Sequence, residues 1–169
     1  MVRLLRFGFL AALAATLVGC GRKSPQAEAA QAARELLAAA WSGDAAGFEA
    51  RLDRPAVRQD LRRQLAQLAQ ASTLSVEGGA SDAALDRMIS PAAFRVTAAD
   101  GGALAAEPSA AQVEPLVAAA GKDHACLHAA QSAQPCLLSF AREAQGWKLV
   151  AMAPAGFTIA LPPEPSKDR

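Results

Sequence analysis

Tyrosine is absent from these 169 residues, and aromatic side chains make up only 5% of them. A core must then be built mainly from Leu, Val and Ala around Trp41, Phe48, Phe94, Phe140 and Trp147. An excess of either charge is missing too, with 17 Lys and Arg against 16 Asp and Glu, so no field is available to collect nucleic acid, which is excluded as a partner. Histidine occurs twice, at His124 and His128, without the Glu of a His-Glu-x-x-His zinc helix. There is no Gly-x-Ser-x-Gly elbow and no phosphate-cradling glycine loop, and no pattern calls for a cofactor. No apolar run reaches the roughly 20 residues that a helical bilayer crossing needs.

What is present begins with an address. Arg3 and Arg6 precede an almost wholly apolar stretch from Phe7 to Val18, followed by Gly19-Cys20 and then the polar Gly21, Arg22 and Lys23. This order of charged, hydrophobic and small residues is that of a secretory signal. Its end, Leu17-Val18-Gly19-Cys20, resembles the lipobox of bacterial lipoproteins, which implies that residues 1–19 are removed and that the Cys20 thiol carries the fatty chains. Gly21 in place of an aspartate implies, by the same resemblance, passage to the outer membrane and a place on its periplasmic face. Multiple acyl chains hold a protein stably where one does not. Residues 20–25 would be a short tether, reaching roughly 3.3 to 3.6 Å per residue, ahead of a single domain over 26–161 and a frayed tail over 162–169. Because the leader carries two arginines and no acid, the remaining chain has one more acid than base.

Helical spacing dominates the first half. Ser24 and Pro25 suit the N-cap and first position of a helix whose apolar face is Ala29, Ala33, Leu36, Leu37, Ala40 and Trp41, stopped by Ser42-Gly43. Asp44 caps a short helix with Phe48 and Leu52; Asp53-Arg54-Pro55 opens a third, whose stripe is Val57, Leu61, Leu65 and Leu68. Gly78-Gly79 breaks the chain, Ser81 caps a helix with Leu85, Met88 and Ile89 facing inward, Ser90-Pro91 restarts a turn or helix leading through Phe94 and Val96, and Asp100-Gly101-Gly102 is a loop. Residues 109–121 suggest a further helical stretch that Pro115 kinks or begins. From His124 the period changes: Cys126, Leu138, Phe140, Trp147, Leu149 and Ala151 alternate in three short runs divided at Gln131-Ser132-Ala133 and Ala144-Gln145-Gly146, with Phe157, Ile159 and Leu161 as a candidate fourth. The expected architecture is α+β, N-terminal helices packed on a C-terminal antiparallel meander of three to four strands.

With these elements placed, several pieces resemble the bacterial domain-of-unknown-function family numbered 2939. They are Gly43-Asp44-Ala45-Ala46 followed by Leu52-Asp53, Pro55, Val57-Arg58, Leu61 and Gln64-Leu65; then Leu85-Asp86, Ile89 and Ser90-Pro91; then Gly146-Trp147-Lys148-Leu149. Arg54 departs from the family pattern, which has an aromatic there. The resemblance implies a domain type and no chemistry. A looser likeness, at the level of fold only, is to small cone-shaped folds of the nuclear-transport-factor kind, which often hold a pocket.

Once Cys20 carries lipid, Cys126 and Cys136 remain, in an oxidising compartment. A hairpin centred on residue 131 sets them opposite one another, which predicts a structural disulfide. The alternative is metal or redox handling at His124, Cys126, His128 and Cys136, because the first three share a strand face. Arg54, Arg58 and Arg62, four apart, make a candidate anion-binding stripe, against the plainer reading of a solvated face neutralised by Glu49, Asp53 and Asp60. Asp53 is also placed to bond Arg58 while capping the third helix. Asp82 and Asp86, one turn apart, read as wet surface. These features favour a non-catalytic domain that binds an envelope protein or a small apolar ligand. A small periplasmic enzyme with an unrecognised pocket is the second reading, and metal or redox handling the third.

Overall fold

A computed structural model describes residues 23–71, 79–129, 136–153 and 157–165. The leader, Cys20 and the turn at Gln131-Ser132-Ala133 lie outside the described residues.

The local signals at the helix ends act where the sequence puts them. Helix α1 (Pro25–Ser42) is capped by Ser24, whose hydroxyl accepts the Ala27 N–H at 3.2 Å, and it ends at Gly43 in the left-handed region (φ 74°), where the chain turns back. Asp44 caps α2 (Ala45–Ala50) through the Gly47 N–H at 3.0 Å. Helix α3 (Arg54–Ala71) starts on the Asp53 carboxylate, which accepts from Ala56, and Ser81 caps α4 (Asp82–Met88). A 3-10 turn at Pro91–Ala93 leads to strand β1 (Arg95–Ala98).

The stretch 109–121 differs from the expected helix. Ser109 and Gln112 form a capping box on α5 (Ala110–Val113), which is only one turn long. Pro115, having no N–H to continue an α-helix, lies in a 3-10 turn over Glu114–Leu116, and strand β2 (Val117–Ala119) follows at once. The remaining strands are β3 (His124–Leu127), β4 (Leu138–Glu143), β5 (Gly146–Met152) and β6 (Thr158–Leu161).

The C-terminal sheet is antiparallel with order β2-β3-β4-β5, so its fourth strand is β2 rather than Phe157–Leu161. Strand β6 instead pairs in parallel with β1, Val96 opposite Ile159, as a separate two-stranded sheet. The helices cover one face of the four-stranded sheet, burying Ala125, Leu127, Leu138, Phe140, Trp147, Leu149 and Met152 against Leu36, Leu37, Val57 and Leu61. Phe48 and Phe94 meet edge to face at 5.1 Å between centroids, with Phe157 next at 6.3 Å from Phe94.

Four side-chain placements depart from the sequence pattern. Trp41 is 43% exposed: at about 100° per residue it falls just outside the arc that Ala30, Leu37 and Ala40 bury. Leu68 is 53% exposed because α3 outruns the sheet; one turn earlier the Gln64 amide already donates to the carbonyl of Met152, the end of β5. A bulge opposes Ser139 to Ala151 but Phe140 to Leu149, so the inward position after Leu149 passes to Met152 instead of Ala151. Cys126 points outward with His124, while Ala125 and Leu127 face the core. The start of the tail is also tied down, since the buried Gln112 amide donates to the Pro162 carbonyl at 2.8 Å.

Candidate functional site

Three stretches, residues 43–65, 85–91 and 146–149, meet around the start of α3. Leu52 forms a parallel bridge with Leu149, and Asp53 N–H donates to Leu149 O at 2.9 Å, so the α2–α3 junction covers the outer edge of β5. From α3, Arg58 Nε donates to Asp86 Oδ1 at 2.7 Å while its Nη2 meets the second oxygen, a two-pronged grip on α4. Arg54 also donates to Asp86 (2.9 Å), to Ile89 O (3.1 Å) and to Glu49. Hydrogen bonds from Arg58 hold the Asp86 carboxyl below its usual range against the upward push of desolvation, with Arg54 adding to the lowering. Glu49 in turn pushes the Arg54 guanidinium up.

Arg62 pairs with Asp82, so each member of the Arg54, Arg58 and Arg62 stripe meets a carboxylate of this chain. That corrects two expectations. The stripe serves as a seam between α2, α3 and α4 and offers an incoming anion no guanidinium without a partner among the described residues. The Asp82 side chain is 64% exposed, the wet surface that the sequence suggests, while Asp86, at 37%, takes Arg58 in place of Asp53. Of the expected neutralising acids, Glu49 holds Arg54, whereas Asp60 is drawn inward to Gln64 (2.6 Å) and Met152 N–H (3.3 Å), with Arg63 at its outer side.

Cys126 and Cys136 are joined in a disulfide, their Cα atoms 5.4 Å apart. Its route differs from the expected hairpin register. In the sheet Cys126 lies opposite Ser139 and Leu127 opposite Leu138, a register that buries both leucines. Leu137 donates to Leu127 O at 2.9 Å at a bend, and Cys136, just before it, comes back over the outer face to reach Cys126. The bond takes both thiols from the imagined His and Cys metal set, and among the described residues no group of three or more His, Cys, Asp or Glu is gathered for a metal. What remains beside the sulfurs is His128, with Nδ1 3.7 Å from Cys126 Sγ, and Ser139, whose hydroxyl lies 3.2 Å from Cys136 Sγ.

Helix α1 borders three clefts. One of about 390 Å³ opens between α1 and α5, with Ala27, Ala30 and Ala110 as floor and Lys23, Gln31, Arg34 and Glu114 as rim. A second of about 380 Å³ continues towards α2 over Ala38, Ala39, Gly47 and Ala50. The ion pair Arg34–Glu107, 3.3 Å long, stands where the two adjoin. The sequence carries no signal for this groove, because an alanine floor presents no group that marks a site. A smaller hollow, about 200 Å³, is bounded by Glu28, Glu35, Arg51 and Trp147. There Glu28 pairs with Arg142, whose guanidinium lies 5.3 Å from the Trp147 ring centroid.

Among the described residues no helix is long and apolar enough to cross a membrane. No family model, curated protein or solved structure matches the chain, and the resemblance to family 2939 rests on the quoted motifs alone.

Proposed function

We propose that this chain is a lipid-anchored bacterial envelope protein, held at the periplasmic face of the outer membrane through Cys20, with a non-catalytic α+β domain that binds another envelope protein. The observation that carries the reading is the sequence Leu17-Val18-Gly19-Cys20 directly behind a two-arginine, apolar leader. Helix α1 supports it: its N-cap, Ser24, follows Cys20 by four residues, so the domain would stand close to the lipid surface with α1 as its nearest element. The open groove along α1, alanine-floored and rimmed by charges of both signs, suits a polypeptide better than a small apolar ligand, which an enclosed apolar cavity holds. Membership of family 2939 belongs to the same proposal, supported by the way its three sequence pieces pack around the start of α3.

The test has two arms. Cys20→Ser is expected to abolish labelling by fatty acid and to release the chain from the membrane fraction; unchanged processing and fractionation would overturn the anchor. A photo-crosslinking residue at Gln31, on the groove rim, is expected to capture one envelope protein in cells, and Arg34→Glu is expected to reduce that capture. Capture that is absent, or indifferent to Arg34, removes the groove from the proposal.

A further inference from the structure

A disulfide that only staples a hairpin has no need of an ionisable group at its sulfur, and this one has such a group. His128 lies immediately beyond β3, with its backbone N–H fixed on Leu116 O at 2.9 Å and its Nδ1 3.7 Å from Cys126 Sγ. The other sulfur sits differently: Cys136 Sγ is 3.2 Å from the Ser139 hydroxyl, which donates, and 3.3 Å from the Leu138 carbonyl oxygen. All four residues are half-buried, on the outer side of the sheet away from the core. Opposite Cys126 stand Ala118 from β2 and Ser139 from β4, and His124 shares its face two residues back. The charged side chains Lys122, Asp123, Arg142 and Glu143 belong to the other end of these strands.

We propose that Cys126–Cys136 is a redox-active pair that exchanges with a dithiol, and that His128 makes Cys126 the leaving sulfur. An incoming thiolate attacks Cys136 Sγ and forms a mixed disulfide with it. The Cys126–Cys136 bond breaks, and its electron pair goes to Cys126 Sγ. The resulting thiolate is stabilised by the His128 imidazolium, which gives it a proton and regains from water the one that the attacking thiol released. A cationic neighbour lowers a thiol's pKa, and the sulfur of lower pKa leaves faster. The second thiol of the dithiol then attacks its own bonded sulfur and releases Cys136, which takes up the other proton beside Ser139. The chain gains two hydrogens, and the dithiol is oxidised to its disulfide. This activity is independent of the lipid anchor and of the α1 groove.

The experiment uses the full-length chain with Cys20→Ser, so that no third thiol interferes, and dithiothreitol as the dithiol. Reduction is quenched by alkylation and read by mass between pH 5 and 9, with each rate corrected for the thiolate fraction of the reagent. The wild-type pair is expected to show an inflection within that range, with reduction faster on its acid side, where a cation at the leaving sulfur lowers that thiol's pKa. His128→Gln is expected to slow the low-pH rate about tenfold and remove the inflection, since losing the cation raises the leaving thiol's pKa. His128→Arg is expected to keep the rate and lose the inflection, and His124→Gln to leave the profile in place. A flat wild-type profile overturns the proposal without recourse to any variant. So does a pair that resists the dithiol until denaturant is added, or a profile that follows His124 instead of His128.

Discussion

Asp53 and Leu149 are tied by one backbone hydrogen bond, Asp53 N–H to Leu149 O at 2.9 Å, while Leu149 N–H returns to Arg51 O at 2.9 Å. Two residues of the α2–α3 junction thereby behave as a fragment of strand on the edge of β5. The Asp53 side chain meanwhile accepts from Ala56 N–H at 3.1 Å and starts α3. Asp53→Ala removes that cap and leaves the backbone bonds in place. The expected loss is about 1 kcal/mol of unfolding free energy, measured by urea denaturation, whereas Asp53→Asn keeps an acceptor and loses less.

Between α3 and α4 the Asp86 carboxyl is held below its ordinary range by Arg58, aided by Arg54. A carboxyl whose folded pKa is depressed contributes stability that is full above its unfolded value, about 3.9, and is lost as pH falls through the lower folded value. Wild-type protein is therefore expected to exceed Asp86→Asn in stability at pH 7, with the gap narrowing below about pH 4. Urea midpoints for the two proteins at pH 7, 5, 4 and 3 check this; a gap that grows on acidification would show that the grip of Arg58 is not its source.

The parts legible in the sequence are those decided within a few residues. Ser24-Pro25, Gly43-Asp44 and Ser81 each end or start a helix through bonds to backbone three or four positions away, so composition and order suffice to find them. The parts that were not legible depend on which distant partner arrives. Nothing near Arg58 says that its carboxylate lies 28 positions on, at Asp86. The parallel pairing of β1 with β6 joins segments more than 60 residues apart, and neither reads strongly as a strand alone. The Cys126–Cys136 link follows from the count of thiols, but its register does not, because the bend at Leu137 is set by burying Leu127 and Leu138 together.

Replacing both cysteines of that link, Cys126→Ala with Cys136→Ala, frees the chain between them in the unfolded state. For a ten-residue separation the loop-closure relation gives a loss of about 2.5 to 3 kcal/mol. The measurement is a denaturant curve against the oxidised wild type. An unchanged midpoint would mean that the bond constrains the unfolded chain no more than its residual structure already does.

Asp60 is buried, 7% exposed, and its carboxylate ties α3 to the end of β5. It accepts from Gln64 Nε2 at 2.6 Å and from Met152 N–H at 3.3 Å, and Gln64 closes the loop by donating to Met152 O at 2.9 Å. The Arg63 partner is mostly in water, so losing it contributes little. The Met152 amide is buried, and an orphaned buried donor costs the full desolvation of that group. Asp60→Ala is therefore expected to lower stability by about 1 to 3 kcal/mol and to speed hydrogen exchange at Met152 more than at Leu149, whose amide is held by Arg51 instead. Asp60→Asn retains one carbonyl oxygen for the Met152 amide and is expected to keep most of the protection. If the alanine variant leaves exchange at Met152 unchanged, the strand end is held by its pairing with Leu138 alone, and α3 is positioned by the packing of Val57 and Leu61.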